Sequence, residues 1–131
     1  YHPSLRSGLI SRNNRESLEN DPEYQRIITE RPKLAKDSLM ATFSEYELDA
    51  LVYPTSNALP AVVGSGQGAG NANRLSPFSG FPAISVPAGF SENGLPVGME
   101  MLGKEFDEST LIKLAYSYQE GTQHRKAPEL E

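Results

Sequence analysis

Ser79-Gly80-Phe81-Pro82-Ala83-Ile84-Ser85-Val86-Pro87-Ala88-Gly89-Phe90 is followed, three residues later, by Gly94-Leu95-Pro96-Val97-Gly98-Met99-Glu100-Met101-Leu102. The two apolar runs, each of strand length and each opened by a proline, flank Asn93-Gly94, a dipeptide that tolerates positive φ. That spacing reads as a β-hairpin over 82–103. Farther upstream, before a Gly-rich stretch, Leu48-Asp49-Ala50-Leu51-Val52-Tyr53-Pro54-Thr55 is a further apolar run closed by proline. It predicts a strand at 48–55 buried on both faces, as in a sheet covered by helices.

Helices are expected on either side of these strands. Asp21-Pro22 is a helix start, because aspartate caps free N–H groups and proline at the first helical position gives up a donor that had no partner. Residues 22–47 are therefore helical, as two helices or one kinked helix, since Pro32 disfavours a helical residue before it. Ala35, Leu39, Phe43 and Tyr46 give the stretch after Pro32 a buried face. After the hairpin, Asp107 is placed to cap a helix over 107–121, with Phe106 set to staple against Leu111. Leu111, Leu114, Ala115 and Tyr118 form its stripe, and Gly121 suits a left-handed cap. Residues 1–21 read as a polar, weakly helical or irregular lead-in. Residues 56–73 read as a Gly-rich loop. The class implied is α/β.

Composition removes several functions. The chain has 131 residues and a formal net charge of −5, which repels a phosphate backbone. Its one basic cluster, His124-Arg125-Lys126, lies near Glu129 and Glu131 and is too short for a nucleic-acid groove, so no nucleic-acid partner is expected. With no cysteine and only two histidines, at opposite ends, no metal site and no cofactor are expected. No apolar run approaches the length of a membrane span. The first residue is Tyr1, which suggests a processed product or a cut piece.

Candidate chemistry is sparse. Gly64, Gly66, Gly68 and Gly70 alternate, but neither common nucleotide-loop template fits, and a mobile loop or pocket lid is the better reading. Ser79 lacks the flanks of a nucleophile elbow and reads as a turn residue. Glu105-Phe106-Asp107-Glu108 could hold a carboxylate pair, yet helix capping explains the same residues. Tyr53 and Tyr116 read as core or half-buried aromatics. Asn71, Asn73 and Arg74 stand between the glycine loop and a strand, where side chains face either a cleft or solvent.

Three blocks, taken in order, resemble the amidase-signature family. They are Asp49 to Thr55, with its Asp and closing Pro-Thr; Ser79 to Phe90, with Gly-Phe-Pro-Ala-Ile-Ser-Val-Pro-Ala-Gly; and Gly94-Leu95-Pro96-Val97-Gly98-Met99-Glu100-Met101-Leu102-Gly103-Lys104-Glu105-Phe106-Asp107-Glu108. The resemblance implies the C-terminal part of the family's mixed β-sheet, flanked by helices. It also implies a hydrolase of amide C–N bonds acting through a Ser, cis-Ser, Lys triad on a small amide substrate. No Gly-Ser-Ser-Gly-Gly segment or matching lysine motif occurs here, so the triad is expected outside this chain, which alone should be inactive. By position, the resemblance places Asn71, Asn73, Arg74 and Ser76 along the substrate pocket. The expected partners are the N-terminal portion of the same amidase or, through self-association, a further copy. The alternative is a non-catalytic interaction module derived from the same fold, and the length of the parent reading frame separates the two.

Overall fold

A computed structural model describes residues 2–14, 17–66 and 74–127 of the 131. The chain divides into two units, 1–31 and 32–131. The first holds a short 3-10 helix, Pro3–Leu5, then α1 (Arg6–Asn13) and the opening of α2 (Pro22–Glu45). The lead-in is thus helical over much of its described length, although α1 buries no residue. Asp21 caps α2 as its sequence requires: Oδ1 accepts from the backbone N–H of Glu23 at 2.9 Å and of Tyr24 at 3.1 Å. Within this unit Arg26 pairs with Glu30 one turn on, an exposed contact of small energetic weight.

The division falls inside α2, at Pro32, whose ring nitrogen has no hydrogen to give to the helix ladder. The sequence led us to expect two helices or a kink here. Pro32 lies within one helical element that ends at Glu45, so of those two expectations the single helix is the one found.

In the second unit three strands, β1 (Ala50–Pro54), β2 (Ala83–Phe90) and β3 (Pro96–Gly103), form an antiparallel sheet in the order β1-β3-β2. The hairpin pairs Ala83 with Leu102 and Ser85 with Glu100, and β1 pairs Leu51 with Leu102 and Tyr53 with Glu100. Because successive side chains alternate between faces, Gly98, Glu100 and Leu102 belong to one side of β3, and Met99, Met101 and Gly103 to the other. Leu102 is fully buried with Phe81 and with Leu39 and Phe43 from the second half of α2; Leu48, Leu51 and Tyr53 pack around them. On the opposite side Val86, Met101, Leu111 and Ala115 cluster, the last two coming from α4 (Glu108–Thr122). Here α4 lies so close that a methyl on Gly103 would stand 2.9 Å from the Leu111 side chain. The second unit is therefore a helix–sheet–helix sandwich of α/β character. A short helix, α3 (Leu75–Ser79), leads into β2.

Several sequence expectations need correction. The first strand was expected to be covered on both faces, but β1 is a sheet edge and Val52 is 60% exposed. Phe106 does not staple onto Leu111: it adopts φ +60° and is 85% exposed, because the turn between β3 and α4 swings its ring outward. Asp107 does stand at the α4 start, where its carboxylate accepts from the Thr110 hydroxyl at 2.7 Å. That hydrogen bond holds the carboxyl below its ordinary range. The left-handed residue ending α4 is Gln123, φ +49°, so the helix runs one residue past Gly121 to Thr122. Tyr46 and Tyr116 are exposed rather than buried, and Leu114 is only partly covered, at 37% exposure. Among the described residues of the second unit, the Lys36–Glu105 ion pair ties α2 to the turn that precedes α4. Of the proposed lid, Gly68 and Gly70 lie outside the described residues, while Gly64 turns the chain with φ +90°.

Cutting Leu102 to alanine removes a fully buried side chain from the centre of the sandwich and should cost about 2–5 kcal/mol. Val52→Thr, on the open edge, should change stability by less than ~0.5 kcal/mol. Urea-induced unfolding followed by circular dichroism checks both.

Candidate functional site

Two of the four residues proposed for substrate contact, Asn71 and Asn73, lie outside the described residues. Arg74 is exposed at the start of α3, and its side chain makes no capping hydrogen bond there. Ser76 is already engaged: its hydroxyl donates to the Phe81 carbonyl at 2.8 Å. Ser79 is engaged as well, donating to the Leu75 carbonyl at 2.7 Å and accepting from the Phe81 N–H at 3.1 Å. With Gly80 in the left-handed conformation, φ +75°, these two serines lock the tight turn that delivers the chain into β2. Ser79 is thus a turn residue, and Arg74 stands exposed at the N-terminal end of α3.

The sheet itself presents a polar set that sequence reasoning had not assembled. Glu100 is only 5% exposed, although it sits in the apolar strand β3. Its Oε1 accepts the Tyr53 hydroxyl at 2.6 Å from the adjacent strand, across a directly opposed pair. A buried charge persists only when it is paired or hydrogen-bonded, and the phenol supplies that bond. Burial, followed by the neighbouring carboxylate, pushes the Tyr53 phenol well above its ordinary value. Beside it, Thr55 Oγ1, just past the end of β1, and Ser85 Oγ of β2 lie 2.8 Å apart.

Those hydroxyls meet because the residue between them is glycine. A methyl on Gly98 would stand 2.9 Å from Thr55 Oγ1 and 3.2 Å from Ser85 Oγ, inside normal contact distance. The Gly98 carbonyl also accepts the Thr55 N–H at 2.9 Å, which fixes Thr55 just past the end of β1. Within the hydroxyl pair one O–H is spent on the other oxygen, so one proton remains available to a third group. The row Tyr53, Glu100, Ser85, Thr55 is therefore a hydrogen-bonding wall. The two histidines take no part in its hydrogen bonds; the Glu100 carboxylate is engaged by the Tyr53 phenol, and the Thr55 and Ser85 hydroxyls by each other. The sequence carried one signal for this row: a single carboxylate among the apolar side chains of Pro96–Gly103.

Among the described residues no group of three His, Cys, Asp or Glu side chains is placed to hold a metal. Among them, too, no helix is long and apolar enough to cross a membrane.

Residues 2–112 match the family described as Amidase. The chain belongs to that family. The A subunit of glutamyl-tRNA(Gln) amidotransferase from Moorella thermoacetica is 36% identical over 118 residues, covering 84% of this chain and 23% of that protein. Its counterpart from Oceanobacillus iheyensis is 49% identical over 54 residues, 40% of this chain and 11% of that protein. Among solved structures, peptide amidase of Stenotrophomonas maltophilia aligns with a TM-score of 0.80 and 30% identity, over 94% of this chain and 25% of that one. Where most of the chain aligns, it spans about a quarter of the length of the proteins it matches. The resemblance carried by the three sequence blocks and the α/β class both stand.

Tyr53→Phe should leave the Glu100 carboxylate buried without its donor and cost about 1–3 kcal/mol near neutral pH. Because the folded-state pKa of Tyr53 is raised, its contribution is complete below the ordinary phenol value of about 10 and is lost as pH climbs beyond it. The wild-type chain should therefore lose stability in alkali, and Tyr53→Phe should flatten that fall. Urea midpoints between pH 7 and 11, with phenolate absorbance recorded alongside, check this.

Proposed function

We propose that the chain supplies part of the sheet and one wall of the substrate pocket of an enzyme that hydrolyses amide C–N bonds, and that it forms the C-terminal portion of that enzyme. Family membership supports the reaction class. The names of the relatives, a peptide amidase and an amidotransferase, fit an amide group as the substrate's reacting moiety. The observation that carries the wall reading is the polar row on β1, β3 and β2, which offers directional hydrogen bonds yet no activated nucleophile.

In this reading the Ser, cis-Ser, Lys triad lies outside residues 1–131. Amide hydrolysis needs an activated nucleophile and donors aimed at the developing oxyanion, which together account for many orders of magnitude in rate. Asn71, Asn73, Arg74 and Ser76 belong to the pocket edge. Arg74 is the residue there with a free charged reach, while Ser76 shapes the turn beneath it. The partner that completes the site is the N-terminal portion of the same amidase. The open edge at β1, with Val52 exposed, suits association with it or with a second copy.

The chain alone should hydrolyse neither aryl nor alkyl amides. Mixed with an amidase relative from which the matching segment has been deleted, it should restore turnover, and Arg74→Ala should raise KM in that mixture more than it lowers kcat. Turnover by the chain alone would refute the proposed division of labour. A stable complex of the two without turnover would favour the interaction-module reading.

A further inference from the structure

A cleft of about 620 Å3 opens between the turn end of the β2–β3 hairpin and residues 124–127, the segment that follows α4. None of the polar-row residues lines it. Two backbone features create it. The β2–β3 register shifts between Pro87 and Gly89, and Gly89 sits at φ +122°, a conformation that side-chain-bearing residues rarely adopt. The bulge leaves a floor without side chain, on which a methyl would come no nearer than 4.0 Å to His124 Nδ1. At the other wall, Gln123 in the left-handed conformation turns the chain back at the end of α4. His124 is thereby brought to 6.1 Å from the Tyr118 ring. The basic run His124-Arg125-Lys126 is laid along the hairpin by this turn.

The two walls differ in chemistry. Pro87, Phe90 and Pro96 make the hairpin side apolar, whereas Arg125 and Lys126 bring two cations to the other. Lys126 Nζ stands 5.4 Å from the centre of the Phe90 ring, which holds the charge over an aromatic face. Among the described residues neither Arg125 nor Lys126 forms an ion pair. In a chain of net charge −5, two adjacent cations facing an apolar wall make a local field opposite to that of the whole molecule. The volume falls within the range of small-molecule sites, about 300–1,000 Å3. Arginine's planar fork matches a carboxylate, and lysine adds a point charge.

We propose that this cleft binds a small arylalkyl carboxylate, its carboxylate held by Arg125 and Lys126 and its apolar body against Phe90, Pro87 and Pro96. The site is independent of the amidase reading, because it uses none of the polar row and requires no triad.

The test is a titration of the 15N-labelled 131-residue chain with 3-phenylpropionate, and in parallel with the neutral, near-isosteric 3-phenylpropanamide. Saturable shifts should centre on Gly89, Gly94 and residues 124–126, with the amide binding weaker by on the order of tenfold. Arg125→Gln and Lys126→Gln should each weaken the carboxylate by roughly threefold or more, with amides remote from the cleft unmoved. Equal binding of carboxylate and amide would overturn the proposal. So would unchanged affinity in both variants, or the lack of saturation below about 10 mM.

Discussion

The side-chain alternation of β3 is the constraint on which the second unit depends. As the middle strand it is paired on both sides, and its two faces are committed to different partners. Leu102 closes a core with Phe81, Leu39 and Phe43, while Met101 closes another with Val86, Leu111 and Ala115. A slip of one residue would exchange those faces, driving Glu100 into the α4 cluster and taking Leu102 out of the core it closes with Phe81, Leu39 and Phe43. The register also decides where polar chemistry can stand. On the α2 side of β3 the sequence runs Gly98, Glu100, Leu102, so the same strand passes from open to polar to fully apolar as it enters the sandwich.

That gradient explains how an amidase-family chain of this length keeps a charged side chain inside. Glu100 is tolerated because Tyr53 stands directly opposite and gives its hydroxyl, and the pair borders a hydroxyl couple that only a glycine at position 98 leaves room for. The positions are interdependent. Removing the phenol strands the carboxylate, and filling Gly98 separates Thr55 from Ser85. The row is fixed in place because its groups sit on, or next to, paired strands.

Much of this was legible in the sequence because the signals were local. Proline-opened apolar runs around Asn93-Gly94 marked the hairpin, Asp21-Pro22 marked the start of α2, and three motif blocks marked the family. The readings that failed depended on backbone turns whose direction no local pattern encodes. Phe106 had the right spacing for a staple, but its positive φ points it to solvent; Gln123 rather than Gly121 takes the left-handed cap. Arg74 and Ser76 were chosen by position next to a motif, and their pocket role is a proposal; the hydrogen bond to Phe81 shows the Ser76 hydroxyl serving the turn. The Tyr53–Glu100 pair was not found, since its members are 47 residues apart and meet only through the β1–β3 register.

If β3 is the element on which both cores and the polar row rest, its amides should be the last to exchange. Native-state hydrogen exchange of the 131-residue chain measures this directly. The account predicts that Met99, Glu100, Met101 and Leu102 exchange only through global unfolding, with a denaturant dependence matching that of the whole unit, while α1 exchanges through local opening. Exchange of those four amides through local fluctuations, at rates like those of α1, would contradict it.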